Sequence, residues 1–292
     1  RKNALGFALF LMFTAKGPYA NPFPLPVPND SRAPPQGRCM PPLHLRVLLP
    51  VIALGLGMAF GSIDALGLAL AALFIGWILY GEGRLPNTMW WLGGLLGGIV
   101  LAAHLLPGFQ PSQLLPPRQL SVDAMPYALR LSWDKLLLGL TLLAWWLGRP
   151  TPSKALGITA WLTIGLTLLL VPLLALALGL VAWQPKWPEG LWLWLAVNLG
   201  VAVLAEELLF RAWLQPRLIA RLGMWPGLLL TAALFGAAHI PFSPLFALIA
   251  GCAGLGYGMI FHYSGRLSLA IALHGAVNLL HMLLLSYPLR AV

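Results

Sequence analysis

Two adjacent glutamates, Glu206 and Glu207, interrupt an apolar run that begins at Leu191, in a chain of 292 residues with only 8 Asp and Glu. A charged side chain at mid-membrane costs roughly 2.5 to 3.5 kcal/mol on insertion scales, and ionisable residues kept there mark functional sites. Taken alone, the pair beside Arg211 also fits a solvated helix exit. The apolar runs that follow hold few other polar residues: His239, His274 and Asn278, with His262 and His281 more peripheral. An apolar surround suits a carboxylate to act as a general base near neutrality. An imidazole can share or relay the proton. An amide or imidazole N–H can donate to the oxyanion formed when a carbonyl is attacked. The chemistry this set suits is activation of water.

The spacing supports convergence. Glu206 and His239 each lie about 16 residues from the turn at Leu222-Gly223. In an antiparallel hairpin that puts both at one depth, about 24 Å along their helices. His274 and Asn278, four apart, share one face of the last helix. Glu207 and Arg211 are also four apart with the acid first, the favourable order; that pair neutralises one carboxylate and leaves Glu206 free. A lone intramembrane histidine is more often a packing contact, the reading given to His262 and His281. Asn278 alone would be interhelical glue of about 0.6 kcal/mol. No His-Glu-x-x-His, no Gly-x-Ser-x-Gly and no pair of intramembrane aspartates is present.

The elements that must position these residues are membrane helices. The chain is 59% hydrophobic and 9% charged, with a mean hydropathy of +0.82, whereas a soluble domain is about 25% charged. The expected fold is all-α, a polytopic membrane bundle of about eight or nine transmembrane helices. Nine apolar runs qualify: 46–60, 64–80, 88–106, 134–147, 155–182, 190–221, 227–241, 244–263 and 268–286. The proline-rich segment 107–133 reads as a loop with a short interfacial helix. Residues 1–39 read as a poorly ordered extension, with Met40 a natural start. Residues 40–150 form an N-terminal membrane region, and 151–292 a core that carries the polar constellation.

The net charge of +10 does not imply nucleic acid, because no basic patch is interleaved with aromatics. The cations lie at the ends of apolar runs. With the N-terminus inside, the inner loops hold Arg46, Arg84, Arg149, Lys154, Arg211, Arg217, Arg221 and Arg266. The outer ones hold Arg118, Arg130, Lys135, Lys186 and Arg290. That bias favours a cytoplasmic N-terminus. Short loops and a high Leu, Gly and Trp content point to a bacterial inner membrane. Trp90, Trp91, Trp145, Trp146, Trp183, Trp187 and Trp192 flank apolar runs, as interfacial belts do. Cys39 and Cys252 have no metal or redox spacing, and Cys252 reads as a small core residue.

Glu206-Glu207-x-x-x-Arg211, Phe235-x-x-x-His239 and His274-x-x-x-Asn278 follow the order of the motifs of the CPBP family. That family contains the type II CAAX-prenyl endopeptidases and the bacterial Abi, or bacteriocin self-immunity, membrane proteins. The chain resembles it over about residues 155–286. The resemblance implies a glutamate-type intramembrane endopeptidase without a cofactor. Glu206 would activate water with His239, and His274 and Asn278 would form the oxyanion site. Glu207, Arg211 and Phe235 would be supporting. The implied substrate is a membrane-anchored or lipidated protein or peptide, cut near its C-terminus or anchor.

One carboxylate and two histidines also resemble zinc ligands, and the family was long described as metalloproteases. A zinc set of Glu206, His239 and His274 ranks second, because Asn is a poor ligand and no carboxylate behind a histidine is evident. Two other function classes fit the same residues. One is an idle scaffold or immunity protein that binds a peptide in the cavity. The other is a proton-coupled transporter using Glu and His as a relay. A transporter expects two matching halves, which the sequence lacks. A scaffold has no need of base, relay and oxyanion donor together.

Overall fold

The computed structural model describes residues 41–150 and 154–291. The expected N-terminal extension and Cys39 lie outside the described residues. Each of the nine apolar runs becomes a helix. The first four are α1 (Leu43–Ala59), α2 (Ala65–Tyr80), α3 (Asn87–Ala102) and α4 (Trp133–Trp146). The rest are α5 (Ile158–Ala177), α6 (Leu191–Leu222), α7 (Met224–Ala237), α8 (Pro244–Ser264) and α9 (Leu267–Leu284). Their ends follow local chemistry. The Asp64 carboxylate accepts from Gly67 N at 2.9 Å and caps α2, and Ser243 caps α8 through Phe246 N at 3.1 Å. Gly223, at φ 87°, divides α6 from α7, a left-handed turn that a side chain would oppose.

Four helices, α5, α6, α8 and α9, are long and apolar enough to cross a membrane by length and composition; α1, α2, α3 and α7 are apolar but shorter.

The segment between α3 and α4 departs from expectation. It holds an antiparallel hairpin, β1 (Ser112–Arg118) and β2 (Tyr127–Leu131), with Ser112 opposite Leu131 and Arg118 opposite Tyr127. The all-α reading is corrected to mostly helical. Pro116 and Pro117 hid the strand, since proline has no N–H for a ladder. A two-stranded ribbon has only edges, where proline is tolerated, and the register slips between Leu115 and Arg118, around that pair. Leu129 of β2 packs with Leu191, Trp194 and Met282, tying the ribbon to α6 and α9.

Helices α1, α2 and α3 pack around α4, and α8 packs against α5, α7 and α9. The two groups meet where α4 lies along α6. Gly139 lies at this seam, where a Cβ would stand in ordinary contact, 3.4 Å from the Ala205 backbone nitrogen. Small residues commonly permit such approach between membrane helices.

Two further expectations are corrected. Trp90, Trp91, Trp145 and Trp146 are buried rather than interfacial, while Trp183, Trp187 and Trp192 are exposed. The buried set gathers on Trp213, whose ring lies 4.7 Å from both Trp90 and Trp145. Trp91 and Trp213 each donate an indole N–H to the other's carbonyl at 3.2 Å, which locks α3 to α6. Cys252 is exposed on α8 rather than part of the core. An apolar run calls for an apolar surround, and lipid answers that as well as protein does.

Candidate active site

Helix α6 changes its winding around the two glutamates. Asn198–Val203 and Leu208–Leu214 are π-helical, and the α-turn Leu204–Glu207 lies between them. Such widened turns cluster at functional sites. The result is two adjacent carboxylates in different surroundings: the Glu207 side chain is fully buried, and that of Glu206 is 18% exposed.

Glu207 joins three helices. One oxygen, Oε2, lies 3.2 Å from Arg211 Nε as an ion pair. The other, Oε1, meets His274 Nδ1 at 2.8 Å. Arg211 continues the chain of contacts, donating from Nη2 to the Gly254 carbonyl at 3.1 Å and lying 4.4 Å over the Phe235 ring. One turn on, Gln215 donates to the Gly258 carbonyl at 2.9 Å. The two donors, four apart on α6, serve two carbonyls four apart on α8. Glu207 and Arg211 thus tie α6, α8 and α9 together.

Both motif histidines are oriented through Nδ1. His239 Nδ1 lies 2.8 Å from the Phe235 carbonyl. A carbonyl only accepts, so the proton sits on Nδ1 and the neutral ring offers its lone pair at Nε2. His274 donates in the same way to the Glu207 carboxylate. Its ring stacks on Tyr257 at 4.5 Å and 15°. Phe235 stands between them, 4.8 Å from the His239 ring and edge-on to His274 at 5.8 Å. The sequence reading took His274 as a ready donor and found no carboxylate behind a histidine. In the structure Glu207 is that carboxylate, and neutral His274 donates toward the cavity only after gaining a proton at Nε2.

Asn278 donates from Nδ2 to Asn198 Oδ1 at 3.1 Å, which leaves the second amide hydrogen for another acceptor. Glu206 is not free. Lys135 Nζ of α4 lies 3.6 Å from its Oε1, one turn before the close approach at Gly139. His239 and His274 are within electrostatic range of Glu206.

A cavity of about 90 Å³ brings these groups together. Phe235, His239, Tyr257, His274 and Asn278 line it, with aliphatic side chains of α5, α8 and α9 completing the wall. Glu207 stands behind that wall, bonded to His274. His281 also reaches it, with Nε2 donating to the Ser286 carbonyl at 2.9 Å, and His262 rests against Tyr263 at 5.5 Å. Both make the packing contacts expected of them. Among the described residues, no three of His, Cys, Asp and Glu are arranged as ligands of one metal ion. As placed, Glu206, His239 and His274 are not gathered as one such set.

Sequence reasoning missed Lys135, Asn198 and Tyr257. Asn198 had a signal, as an isolated amide inside the run that leads to Glu206. Tyr257 had a weaker one, in Gly254-x-Gly256-Tyr257-Gly258, where small neighbours make room for a ring. Lys135 had none, since it looks like an ordinary cation at a helix start.

A family model, described as type II CAAX prenyl endopeptidase Rce1-like, matches residues 188–280. The matched segment contains every motif residue named above, with Asn198 and Tyr257, but not Lys135. No curated protein and no solved structure matches the chain.

Proposed function

We propose that this chain, whose residues 188–280 match the Rce1-like family of type II CAAX prenyl endopeptidases, is an intramembrane peptidase. Its substrates would be membrane-anchored or lipidated proteins or peptides, cut near the C-terminus or anchor. The observation that carries the reading is the convergence of His239, His274 and Asn278 on one apolar cavity, with the Glu207 carboxylate on His274 and Glu206 within electrostatic range of both histidines.

In this reading a water lies between the Glu206 carboxylate and the Nε2 lone pair of His239. Its proton passes to that pair as the oxygen attacks the scissile carbonyl. The free Asn278 N–H donates to the oxyanion that forms. His274 adds a second donor to the oxyanion when its Nε2 carries a proton, its ring being held through Nδ1 by the Glu207 carboxylate. The stored proton then goes to the leaving amine. No metal takes part in these steps. The bundle would cross a bacterial inner membrane eight or nine times with its N-terminus in the cytoplasm, residues 40–150 forming the N-terminal region and 151–292 the catalytic core.

A second reading has its own observation. Lys135 answers the charge of Glu206, as it would in a scaffold that binds a peptide without cutting it. One experiment separates the two. Membrane proteomes of cells carrying wild type and Glu206→Gln are compared for unprocessed substrate termini. Extended termini found only with Glu206→Gln support the peptidase; identical termini support the scaffold.

A further inference from the structure

Three arginines from three parts of the chain gather at the end of the bundle where α4 and α6 finish. Arg46 sits in the first turn of α1, where its own helix dipole disfavours a cation. It reaches across to donate from Nη1 to the Ala144 carbonyl at 2.8 Å and from Nε to the Pro41 carbonyl at 3.0 Å. Gly148 makes room for it, since a Cβ there would collide with the guanidinium. Arg149 pairs with Glu82 and lies 4.2 Å over the Trp145 ring. Arg217 lies 5.0 Å over Trp91 and donates to Asn87 Oδ1 at 3.0 Å.

The fold supplies more cation and more donor here than it answers. Burial, and then the charge of Arg46, bring the Arg149 guanidinium down to about 10. Arg217 is within electrostatic range of Arg149 as well. Glu82, itself 46% exposed, pairs with Arg149. Arg149 Nε and Trp145 Nε1 are buried donors without a hydrogen-bond partner among the described residues. An anion with several acceptor oxygens answers both surpluses, and guanidinium forks suit phosphate oxygens in particular. Directly beside Arg46, α1 turns Leu45, Leu48 and Ile52 outward, with exposures of 51%, 48% and 58%. A cationic cluster running into an apolar strip has the layout of a phospholipid, with the phosphate at one end and an acyl chain leading away. A free inorganic anion has no use for the strip.

We propose that Arg46, Arg149 and Arg217 form a binding site for the phosphate of an anionic phospholipid whose acyl chain lies along Leu45, Leu48 and Ile52. Basic pockets between membrane helices hold anionic head groups by this chemistry. The site is separate from the cavity and does not depend on the peptidase reading.

The test uses the full chain, delipidated in neutral detergent. Native mass spectrometry measures retention of phosphatidylglycerol and of phosphatidylcholine. Thermal unfolding is followed with each lipid and with inorganic phosphate. Phosphatidylglycerol should be retained and should raise the unfolding temperature, and the other two should do neither. Arg46→Gln and Arg217→Gln should each weaken phosphatidylglycerol binding about fivefold, the equivalent of roughly 1 kcal/mol per cation. Arg118→Gln, at the other end of the bundle, should leave it unchanged. Glu82→Gln keeps all three arginines and removes the competing carboxylate, so it should tighten binding. It serves also if an arginine variant does not fold. Equal retention of both lipids, undiminished binding in the arginine variants, weaker binding in Glu82→Gln, or equal stabilisation by inorganic phosphate would each overturn the proposal.

Discussion

His274 Nδ1 lies 2.8 Å from Glu207 Oε1, and the other oxygen of that carboxylate faces Arg211 at 3.2 Å, with the acid and the arginine fully buried. One side chain therefore both neutralises a buried guanidinium and fixes the tautomer of a motif histidine. Removing one partner of a buried pair costs about 3 to 5 kcal/mol, because the other is left charged and alone. Glu207→Gln should lower the unfolding temperature markedly, and Glu207→Gln with Arg211→Met should recover part of the loss. Thermal unfolding in detergent checks this, and a single variant as stable as wild type would show that the pair adds nothing.

Glu206 is partly exposed, and in the proposed mechanism it serves chemistry, whereas Glu207 serves helix register. Glu206→Gln should abolish cleavage with an unfolding temperature near that of wild type. Lys135→Met should lower turnover, since Glu206 would lose the cation that holds its carboxylate in place. Lys135→Arg should restore most of it. Full activity in Glu206→Gln would remove that residue from the mechanism; full activity in Lys135→Met would make the ion pair incidental.

The free N–H of Asn278 is the proposed oxyanion donor. Asn278→Ala should cost about 2.7 to 4 kcal/mol of transition-state stabilisation, roughly 100- to 1000-fold in kcat. KM should barely change, because the bond tightens only as charge develops. Asn198 holds that amide and touches no reacting atom, so Asn198→Ala should cost less, and the double variant should fall short of additivity. Poor binding with normal turnover in Asn278→Ala would make it a substrate-positioning or helix-packing residue.

If water is activated without metal, purified protein should keep its activity after exhaustive chelation and hold no stoichiometric zinc. Loss on chelation that zinc alone restores would favour Glu206, His239 and His274 as ligands, and would require those side chains to move together.

Asp123 ties the C-terminal segment down at the hairpin end. Ser286 Oγ donates to Oδ2 at 2.8 Å, Gln184 Nε2 to Oδ1 at 2.7 Å, and Arg290 Nε stands 3.1 Å from Oδ2. Burial works to raise its pKa, but the hydrogen bonds from Ser286 and Gln184 and the charge of Arg290 outweigh it and hold the carboxyl below its ordinary 3.8. A depressed folded value means that the tie is complete above the unfolded pKa and is lost as pH falls through the folded one. Hydrogen exchange over residues 285–291 should be slow at neutral pH and rise below about pH 4, where free Asp protonates. Asp123→Asn should show fast exchange at every pH; protection unchanged in that variant would remove Asp123 from the clamp.

The nine helices were legible because each apolar run is long and ends in strong punctuation, such as Asp64, Gly223 and Ser243. Counting residues to one turn placed Glu206 near His239, and the two lie within electrostatic range of each other. What escaped depends on partners distant in sequence. Lys135 is 71 positions from Glu206, and only the close packing at Gly139 brings it there. Counting also assumed a uniform helix, so it did not show that Glu207 rather than Glu206 would turn toward His274. The tryptophans misled for a related reason: flanking an apolar run fits both an interface and a helix–helix core, and Trp213 decides for the second. Pro116 and Pro117 argued against strands because sequence cannot show that the ribbon would have no central position.

The widened turns of α6 have a consequence for how this helix tolerates change. A π turn carries one residue more than an α turn, and deleting that residue would rotate everything beyond it by about 100°. A deletion within Asn198–Val203 would swing Glu206, Glu207 and Trp213 together away from Asn198. One within Leu208–Leu214 would leave the glutamates facing Lys135 and His274 and turn Trp213 out from between Trp90 and Trp145. The two ends of α6 are thus phased independently, like two gears on one shaft with a coupling on each side of the acid pair. Insertions and deletions, rather than substitutions, are the changes by which this helix would trade one set of neighbours for another.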